Sequence, residues 1–218
     1  KLLNKIYRNK KNIIIFSVDV NKDENVKKIF NKIIKKIGSL DCSLFGAGIY
    51  VRNDKFIDLT SIKKNFQTNF FGVLNCIKVV SKHYMKKRGG HISIISSTSG
   101  YRGLNSLSGY GASKAALINF AETLFIQMKK YNTRVSLINP GFVKTNLIKR
   151  NKYKVPFVVN AKKAGERIYD HINNKSSFEL VFPKKWVYIL KLMKILPYNL
   201  YFYLMINKIL YKLFYKNK

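Results

Sequence analysis

Short apolar runs alternate with longer stretches of helical periodicity along the chain. The apolar runs lie at 12–20, 43–48, 91–100, 134–141 and 178–182, and each is short enough to be a strand. Apolar residues spaced three and four apart predict helices over 23–37, 60–87 and 108–131. Strands that alternate with helices are typical of a parallel sheet with helices on both faces. The pattern therefore predicts an α/β fold built as one domain.

Polar and small residues follow most of the predicted strands. They are Asp19, the glycines and alanine of 46–48, Ser96, Ser97 and the Asn-Pro-Gly of 139–141. In open parallel sheets, ligands bind beyond the carboxyl ends of the strands. These residues are therefore expected to meet at one edge of the sheet and to form a binding site there.

The C-terminal segment, residues 184–218, is aromatic, apolar and basic. Pro197 divides it into two predicted helical pieces, and the uncharged run between Lys194 and Lys208 is shorter than the roughly twenty apolar residues of a membrane span. Three roles are open: a substrate-pocket lid, packing of the core or of subunits, and a helix lying on an anionic membrane surface. The mixture of Trp, Tyr and Lys suits a membrane interface.

The chain is strongly basic, with 42 Lys and Arg against 10 Asp and Glu and a formal charge of +32. Such a charge suits nucleic acid or an anionic membrane, but the lysines are scattered over every segment rather than gathered on one stripe. No recognition motif accompanies the charge, so we predict no nucleic-acid partner. A biased composition, rich in Lys, Asn, Ile, Tyr and Phe together, explains the charge equally well.

Cysteine and histidine usage indicates a reducing compartment and no metal site. Cys42 and Cys76 lie far apart, in segments that read as core, without ligand-type spacing. His83, His91 and His171 each stand alone in the sequence, and the chain starts without a recognisable signal peptide. The expected location is the cytoplasm, with membrane association as the alternative.

Tyr110 and Lys114 stand four residues apart at the start of the third predicted helix, hence on one helix face. An ammonium near a phenol favours phenolate, so the pKa of Tyr110 is expected to lie below its reference of about 10. A tyrosine tuned in this way can exchange a proton with an alcohol or a carbonyl. Taken alone, the pair is more commonly an ordinary surface pair.

Five motifs in order and register make the sequence resemble the short-chain dehydrogenase/reductase family over almost the whole chain. "YGASKAAL" is similar to the family's active-site helix, and Ser97 stands at the family's spacing before Tyr110. "NFFG" matches its N-x-x-G setting, and "NPGFVKT" its P-G-x-V-x-T. The family's Asp-Val after the third strand is similar to Asp19 and Val20.

The resemblance implies a Rossmann-like doubly wound parallel sheet and hydride transfer between a nicotinamide cofactor and a small carbonyl or secondary alcohol. The cofactor is NADP or NAD, and NADP is slightly favoured. It implies that Tyr110 is the general acid or base, that Lys114 lowers its pKa and binds the nicotinamide ribose, and that Ser97 donates to the substrate oxygen. It further implies that Asn69 holds a proton-relay water. The cofactor-binding residues that it implies, besides Tyr110 and Lys114, are Asp19, Val20, Ala47, Gly48, Pro140, Gly141, Val143 and Thr145.

Each of these residues can also be explained by a purely structural role. Ser97 could end a strand, Asn69 could bond its own backbone, Pro140 and Gly141 could mark a turn, and Asp19 could cap the following helix. These readings hold singly but do not explain the motifs jointly. The apolar character of the C-terminal half indicates a lipophilic substrate.

Two departures from the family pattern stand out. The family's N-N-A-G is Phe45–Gly48 here, so an asparagine that ties neighbouring strands is absent. The family's T-G-x-x-x-G-x-G turn, whose amides bind the pyrophosphate, does not occur before residue 12. We therefore expect an N-terminally truncated Rossmann-fold domain over 1–183 and a basic aromatic helical extension over 184–218, packed on that domain or on a membrane surface. The alternative function is an inactive fragment or a membrane-surface scaffold that retains the fold.

The resemblance also implies a homodimer or homotetramer. Members of the family pair through two long helices, here the predicted helices over 60–87 and 108–131. Phe120, Leu124 and Met128 are the residues expected at such a contact, and a core role is equally open for them.

Overall fold

Four parallel strands form the central sheet. In pairing order they are β1 (Cys42–Phe45), β2 (Gly90–Ile95), β3 (Thr133–Pro140) and β6 (Glu179–Phe182). Two short strands, β4 (Val143–Lys144) and β5 (Val159–Asn160), form a separate parallel pair. The structure is a computed structural model, and it describes residues 13–52, 57–105, 107–147, 157–174, 177–207 and 209.

Helices connect the strands. They are α1 (Asp23–Ile37), α2 (Leu59–Phe66), α3 (Val73–Lys87), α4 (Ser108–Met128), α5 (Ala161–Asn173), α6 (Lys184–Ile195) and α7 (Tyr198–Ile206). A π-helical turn, Gln67–Gly72, joins α2 to α3, and 3₁₀ turns occupy Thr98–Gly100 and Lys129–Tyr131. The three helices predicted from periodicity are therefore confirmed, as are the two helical pieces on either side of Pro197.

The physical signals at the ends of α1 explain why it is a separate helix. Acidic residues occupy its first turn and lysines its last, where each complements the helix dipole. Gly38 ends it with φ +78°, a left-handed conformation that glycine adopts without a steric penalty.

One main core lies on one face of the sheet. It contains Ile92, Ile94, Val135 and Leu137 of the strands, packed against apolar side chains of α3 and α4. Side chains of α6 and α7 belong to the same core, namely Trp186, Val187, Leu190, Met193 and Tyr201. A smaller cluster, with Ile138, Ala164 and Phe182, lies where α5 covers β6. The C-terminal helices are thus packed against the sheet domain.

The strand predicted over 12–20 is wrong for residues 13–20, which pair with no strand in the described part of the chain; residue 12 lies outside it. The side chains of Ile14, Ile15 and Val18 are 41%, 48% and 42% exposed. A strand needs a neighbour to satisfy its backbone N–H and C=O groups, whatever its side chains. On this side of the sheet β1 is the edge strand, and within the described residues only β2 pairs with it.

Two further features differ from the sequence-based expectation. Cys42 is exposed because it lies on the edge strand β1, and Cys76 is partly buried, so the prediction that both lie in the core is wrong for Cys42. Helix α5 and the β4–β5 pair were not predicted. Helix α5 nevertheless has an apolar side, since Ala164 and Ile168, four residues apart, pack into the smaller cluster.

None of the helices in the described ranges is both long and apolar enough to cross a bilayer.

Candidate active site

The carboxyl end of β2 leads directly into the predicted site. After Ile95 the chain continues through Ser96 and Ser97, both buried, into the 3₁₀ turn Thr98–Gly100. Ser97 caps this turn, since its Oγ accepts a hydrogen bond from the backbone N–H of Ser99 at 3.1 Å. Ser96 Oγ donates to the carbonyl of Lys114 at 2.7 Å, which ties the strand end to α4.

Tyr110, in the first turn of α4, reaches the end of β2. Its phenol lies close enough to Ser97 for the serine side chain to lower the pKa of the phenol. Its ring packs edge-to-face on Tyr50, with 5.4 Å between ring centroids, and Lys114 Nζ lies 5.8 Å from its centroid. A hydroxyl, a phenol and an ammonium therefore lie together at one strand end.

Lys114 is buried on the next turn of α4, with 4% of its surface exposed. Its Nζ donates to the carbonyl of Ile95 at 3.1 Å. Burial lowers the pKa of Lys114 from 10.5 to about 8, because the charged ammonium has lost much of its hydration.

The pKa of Tyr110 departs from the sequence-based expectation. Burial raises it, and the side chain of Ser97 acts in the opposite direction but is the smaller effect. Lys114 is not among the causes, and its ammonium is hydrogen-bonded to the carbonyl of Ile95. The prediction that Lys114 lowers this pKa is therefore wrong for this structure, in which the phenol keeps its proton at neutral pH.

Asn69 lies fully buried in the π-helical turn. Its Oδ1 accepts from the N–H of Ile49 at 2.7 Å, and its Nδ2 donates to the carbonyl of Ile49 at 3.0 Å and to Ser113 Oγ at 3.1 Å. A Cβ on Gly48 would lie 3.5 Å from Asn69 Oδ1 and 3.6 Å from Lys114 Nζ. Asn69 thus fixes the backbone after β1 beside the buried ammonium. π-Helical turns of this kind are frequent at functional sites.

The Pro-Gly at the end of β3 lies against the C-terminal helices. The N–H of Gly141 donates to the carbonyl of Phe182 at 2.8 Å, and a Cβ on Gly141 would approach Trp186 Cδ1 to 2.9 Å. Thr98 Oγ1 donates to the carbonyl of Pro140 at 3.4 Å, so the ends of β2 and β3 are joined. Val143 is partly buried in β4 and Thr145 is exposed beyond it.

Asp19 and Val20 lie in the turn before α1. Asp19 Oδ1 accepts from the N–H of Asn21 at 3.0 Å, and the carbonyl of Val20 accepts from Asn75 Nδ2 at 2.9 Å. Val20 also packs against Gly72, where a Cβ would approach Val20 Cγ2 to 2.8 Å. The contacts of Asp19 are thus with the start of α1, and those of Val20 are with the π-helical turn and α3, rather than with the catalytic side chains. Ala47 lies in the loop that follows β1.

Several contacts were not predicted from the sequence. Ser113 bonds Asn69, Tyr50 packs on Tyr110, and Asn65 holds Val51 through hydrogen bonds at 2.9 and 3.2 Å. Ser113 stands inside the quoted helix motif, beside Lys114, and that adjacency is a signal that could have found it. Tyr50 and Asn65 carry no such signal, because each meets its partner only in the folded chain.

The residues present suit a nicotinamide nucleotide. The buried ammonium of Lys114 is a donor for ribose hydroxyls, and Gly48 leaves the backbone beside it accessible. Ala47, Pro140 and Gly141 are further small or rigid residues at these strand ends. Ser97 and Tyr110 supply two hydroxyls at one point, as a substrate carbonyl or alcohol oxygen requires. The fold and the site together define the class of nicotinamide-dependent oxidoreductases.

Comparisons with known proteins support this class. Residues 1–155 match the short chain dehydrogenase family. An uncharacterised oxidoreductase of Myxococcus xanthus is 29% identical over 84% of this chain and 73% of its own length. Epidermal retinol dehydrogenase 2 of Mus musculus is 30% identical over 84% of this chain and 61% of its own length. Retinol dehydrogenase 8 of Bos taurus is 34% identical over 61% of this chain and 42% of its own length.

Solved structures share the fold. The protein ElxO with NADP bound is 25% identical, with a TM-score of 0.71 over 82% of this chain and 81% of that chain. A family member from Burkholderia phymatum in complex with NAD has a TM-score of 0.77 over 87% of this chain and 78% of that chain. At 17% identity, this second likeness concerns the fold alone.

The chain belongs to the short-chain dehydrogenase/reductase family, whose members are NAD(P)-dependent oxidoreductases, and its Rossmann-like fold is confirmed. It spans less than two thirds of the length of the two retinol dehydrogenases named above.

Proposed function

We propose that the protein catalyses hydride transfer between NADP or NAD and a carbonyl or secondary alcohol, with Tyr110 as the proton donor in reduction. The observation that carries this proposal is the meeting of Ser97, Tyr110 and Lys114 at the carboxyl end of β2. In the oxidoreductases of this class, the bound nicotinamide supplies the hydride, and the protein supplies position and a proton.

Each side chain has a distinct task in this proposal. Tyr110 donates the proton, and Ser97 donates a hydrogen bond to the substrate oxygen, where negative charge develops during reduction. Lys114 binds the nicotinamide ribose and supplies positive charge. Asn69 positions Ile49 and Gly48 next to Lys114, since both hydrogens of its amide are already donated to protein atoms. A proton-relay water at Asn69 would therefore donate a hydrogen bond to a carbonyl oxygen, because the Asn69 amide has no hydrogen left to donate to the water.

The protonated phenol favours reduction at neutral pH. Burial raises the pKa of Tyr110, so the side chain holds the proton that an alkoxide product needs. In the direction of oxidation Tyr110 must first lose this proton, and a raised pKa opposes that loss. We therefore propose carbonyl reduction as the faster direction at neutral pH.

We propose a lipophilic aldehyde or ketone as the substrate. The ring of Tyr50 packs on Tyr110 and offers an aromatic wall at the site, and Phe142 lies directly after Gly141. The names of the two retinol dehydrogenases, which act on a lipophilic alcohol, favour the same class.

Removal of the phenol hydroxyl tests the mechanism. Tyr110→Phe should lower the rate of aldehyde reduction by at least about a hundredfold, because Tyr110 is the group proposed to transfer a proton to the substrate oxygen, whereas Ser97 only donates a hydrogen bond to it. The assay follows the absorbance of NADPH and of NADH in turn, with retinaldehyde and octanal as substrates. The control is Tyr188→Phe, which removes a hydroxyl from an exposed tyrosine of α6. Full activity in Tyr110→Phe would refute the mechanism.

We propose, as a second property, that the C-terminal helices bind an anionic membrane surface. Large apolar side chains are exposed along α6 and α7, and they form what we term the C-terminal apolar face: Tyr188, Leu192, Ile195, Tyr198, Leu200, Phe202, Tyr203 and Ile206. No acidic residue follows Glu179 in the sequence, whereas eight lysines do. Apolar and aromatic side chains flanked by lysines suit the boundary between lipid headgroups and acyl chains.

Vesicle sedimentation tests this property. The protein should bind vesicles that contain phosphatidylglycerol and not vesicles of phosphatidylcholine alone. The double variant Leu192→Ser with Tyr203→Ser should lose most of this binding at moderate salt, because the apolar contribution is removed. Tyr169→Ser on α5, where the tyrosine is 67% exposed, is the matched control. Equal binding by the double variant would attribute the affinity to net charge and contradict a role for the C-terminal apolar face.

A further inference from the structure

The described residues that join Ser97 to the start of α4 have little regular structure beyond one 3₁₀ turn. After the 3₁₀ turn Thr98–Gly100, residues 101–105 and 107 form no helix or strand before α4 begins at Ser108. Yet Ser97 and Tyr110, at the two ends of this segment, must stay close together for both hydroxyls to face one substrate oxygen. We call residues 97–110 the catalytic loop, and its position must be fixed by other parts of the chain.

Arg102 anchors the catalytic loop to the junction of α6 and α7. Its guanidinium donates to the carbonyl of Lys194 at 3.1 Å and to the carbonyl of Leu196 at 3.2 Å. The same group stacks on two rings, 4.5 Å from the centroid of Tyr198 and 4.4 Å from that of Tyr201. A planar cation with several donors suits this combination of stacking and hydrogen bonding.

Tyr201 adds a second tie to the same place. Its side chain is buried, and its hydroxyl donates to the carbonyl of Gly103, the residue after Arg102. Because this hydrogen bond is made to a backbone carbonyl, it links α7 to the main chain of the catalytic loop and restrains the loop directly.

Glu179 anchors the beginning of the loop. Its carboxylate accepts from the hydroxyl of Tyr101, from Asn139 Nδ2 at 2.7 Å and from Lys191 Nζ at 2.5 Å. Asn139 directly precedes Pro140 at the end of β3, and Lys191 belongs to α6. One carboxylate thus connects the catalytic loop, the strand end beside the predicted nicotinamide site and the C-terminal helices.

We propose that the α6–α7 helix pair is a structural part of the active site, and that Arg102, Tyr201 and Glu179 are positioning residues that hold the catalytic loop against it. None of the three side chains is placed to touch the reacting atoms. Their effect is to keep Ser97 and Tyr110 beside each other at the substrate oxygen, and a misplacement of about 1 Å in such a pair can cost up to about a hundredfold in rate. The inference deepens the proposed function and rests on it where activity is the measurement.

Two tyrosines of α7 provide a matched test in the full chain. Tyr201→Phe removes the hydroxyl that bonds Gly103, whereas Tyr203→Phe removes a hydroxyl from a side chain that is 60% exposed. With NADPH and retinaldehyde, Tyr201→Phe should lower kcat about tenfold and leave the Kd for NADPH within twofold, because Lys114 and Asn69 are held by other elements. Tyr203→Phe should keep the kcat of the parent.

A second pair addresses Arg102. Arg102→Met should lower kcat by at least as much as Tyr201→Phe, and Arg102→Lys should recover little, since lysine lacks the planar fork that reaches two carbonyls. The fold is monitored by the thermal midpoint, and the Kd by energy transfer from Trp186, the one tryptophan of the chain, to bound NADPH. A kcat within twofold of the parent in Tyr201→Phe would overturn the proposal, as would a loss of kcat matched by an equal loss of NADPH binding.

A measurement independent of catalysis separates this proposal from the proposed function. Backbone amide hydrogen exchange over residues 98–107 should be faster in Tyr201→Phe than in Tyr203→Phe, because the loop opens more easily once the tie is removed. If the parent shows no reductase activity but this difference is observed, the proposed function fails and the anchoring of the loop stands. Identical exchange in the two variants would refute the anchoring.

Discussion

At the scale of single residues, burial shifts the two ionisable groups of the site in opposite directions. It raises the pKa of Tyr110 and lowers that of Lys114 to about 8, since the charged form is disfavoured in each case. The spacing of the two residues in sequence predicted their proximity but gave the wrong sign for the tyrosine. Spacing along a helix reports which side chains are neighbours, whereas burial depends on every element packed around them.

The pH dependence of carbonyl reduction follows from these shifts. Lys114 loses its charge as the pH rises through about 8, while Tyr110 keeps its proton there, so the reduction rate should fall above about pH 8. The profile of kcat/KM for retinaldehyde at saturating NADPH measures this limb. Lys114→Arg, which stays charged, should remove the limb near pH 8 even if its maximal rate is lower. A rate that is flat up to pH 10 in the parent would contradict the role of Lys114.

At the scale of elements, helix α4 must approach α2 closely for Tyr110 to reach the site. Gly109, beside Tyr110, is buried against α2, and a Cβ there would lie 2.9 Å from Ile62 Cα and 3.0 Å from Asn65 Nδ2. Asn65 in turn holds Val51 in the segment after β1. The sequence shows a small residue at position 109, but only the packing of α2 against α4 shows why it must be small.

Substitution by alanine should have opposite effects on the free energy of unfolding at two glycines that lie inside helices. Gly109→Ala should destabilise the protein by about 1–2 kcal/mol, because the clash with the α2 backbone outweighs the gain in helix propensity. Gly165→Ala in α5 has no atom within 4 Å of the added Cβ and should stabilise by about 0.5–1 kcal/mol. Urea unfolding at pH 7 measures both free energies. The same sign for both variants would contradict the close contact between α2 and α4.

At the scale of the whole molecule, the exposed surface of α4 bears on how the protein could form oligomers. The three residues expected at a subunit contact on α4 face the core instead. Leu124 and Met128 are buried in it, and Phe120 is partly buried against it. On the outward side of the same helix, Phe125 and Ile126 are exposed, Ile126 to 75%. A contact between subunits through α4 would therefore use Phe125 and Ile126.

We propose a homodimer through α3 and α4, and sedimentation velocity tests it. The parent should sediment as a dimer at micromolar concentration, and Ile126→Asp should shift it to a monomer, because a carboxylate would be buried without a partner. Tyr169→Asp, a similar change on α5, should leave the dimer intact. A monomeric parent, or an Ile126→Asp variant that remains dimeric, would contradict this interface.

Most of the fold could be predicted from the sequence alone. The order of strands and helices follows from local periodicity and from end signals such as Gly38, because each depends on residues close together in the chain. The residues proposed for catalysis, Ser97, Tyr110 and Lys114, could be named because their spacing belongs to a recognisable pattern. Their roles remain predictions, and the measurements on Tyr110 and Lys114 test them.

Only the tertiary structure decided the rest. Residues 13–20 have the composition of a buried strand, yet they pair with no strand among the described residues, since pairing depends on a neighbour and not on side chains. Likewise, nothing local in Arg102, Glu179 or Tyr201 indicates their shared contact with the catalytic loop. The sequence by itself determined which elements form and which residues carry the chemistry. Which charges are buried, which edges are paired and what holds the loop in place were decided by long-range packing, because each depends on groups far apart in the chain.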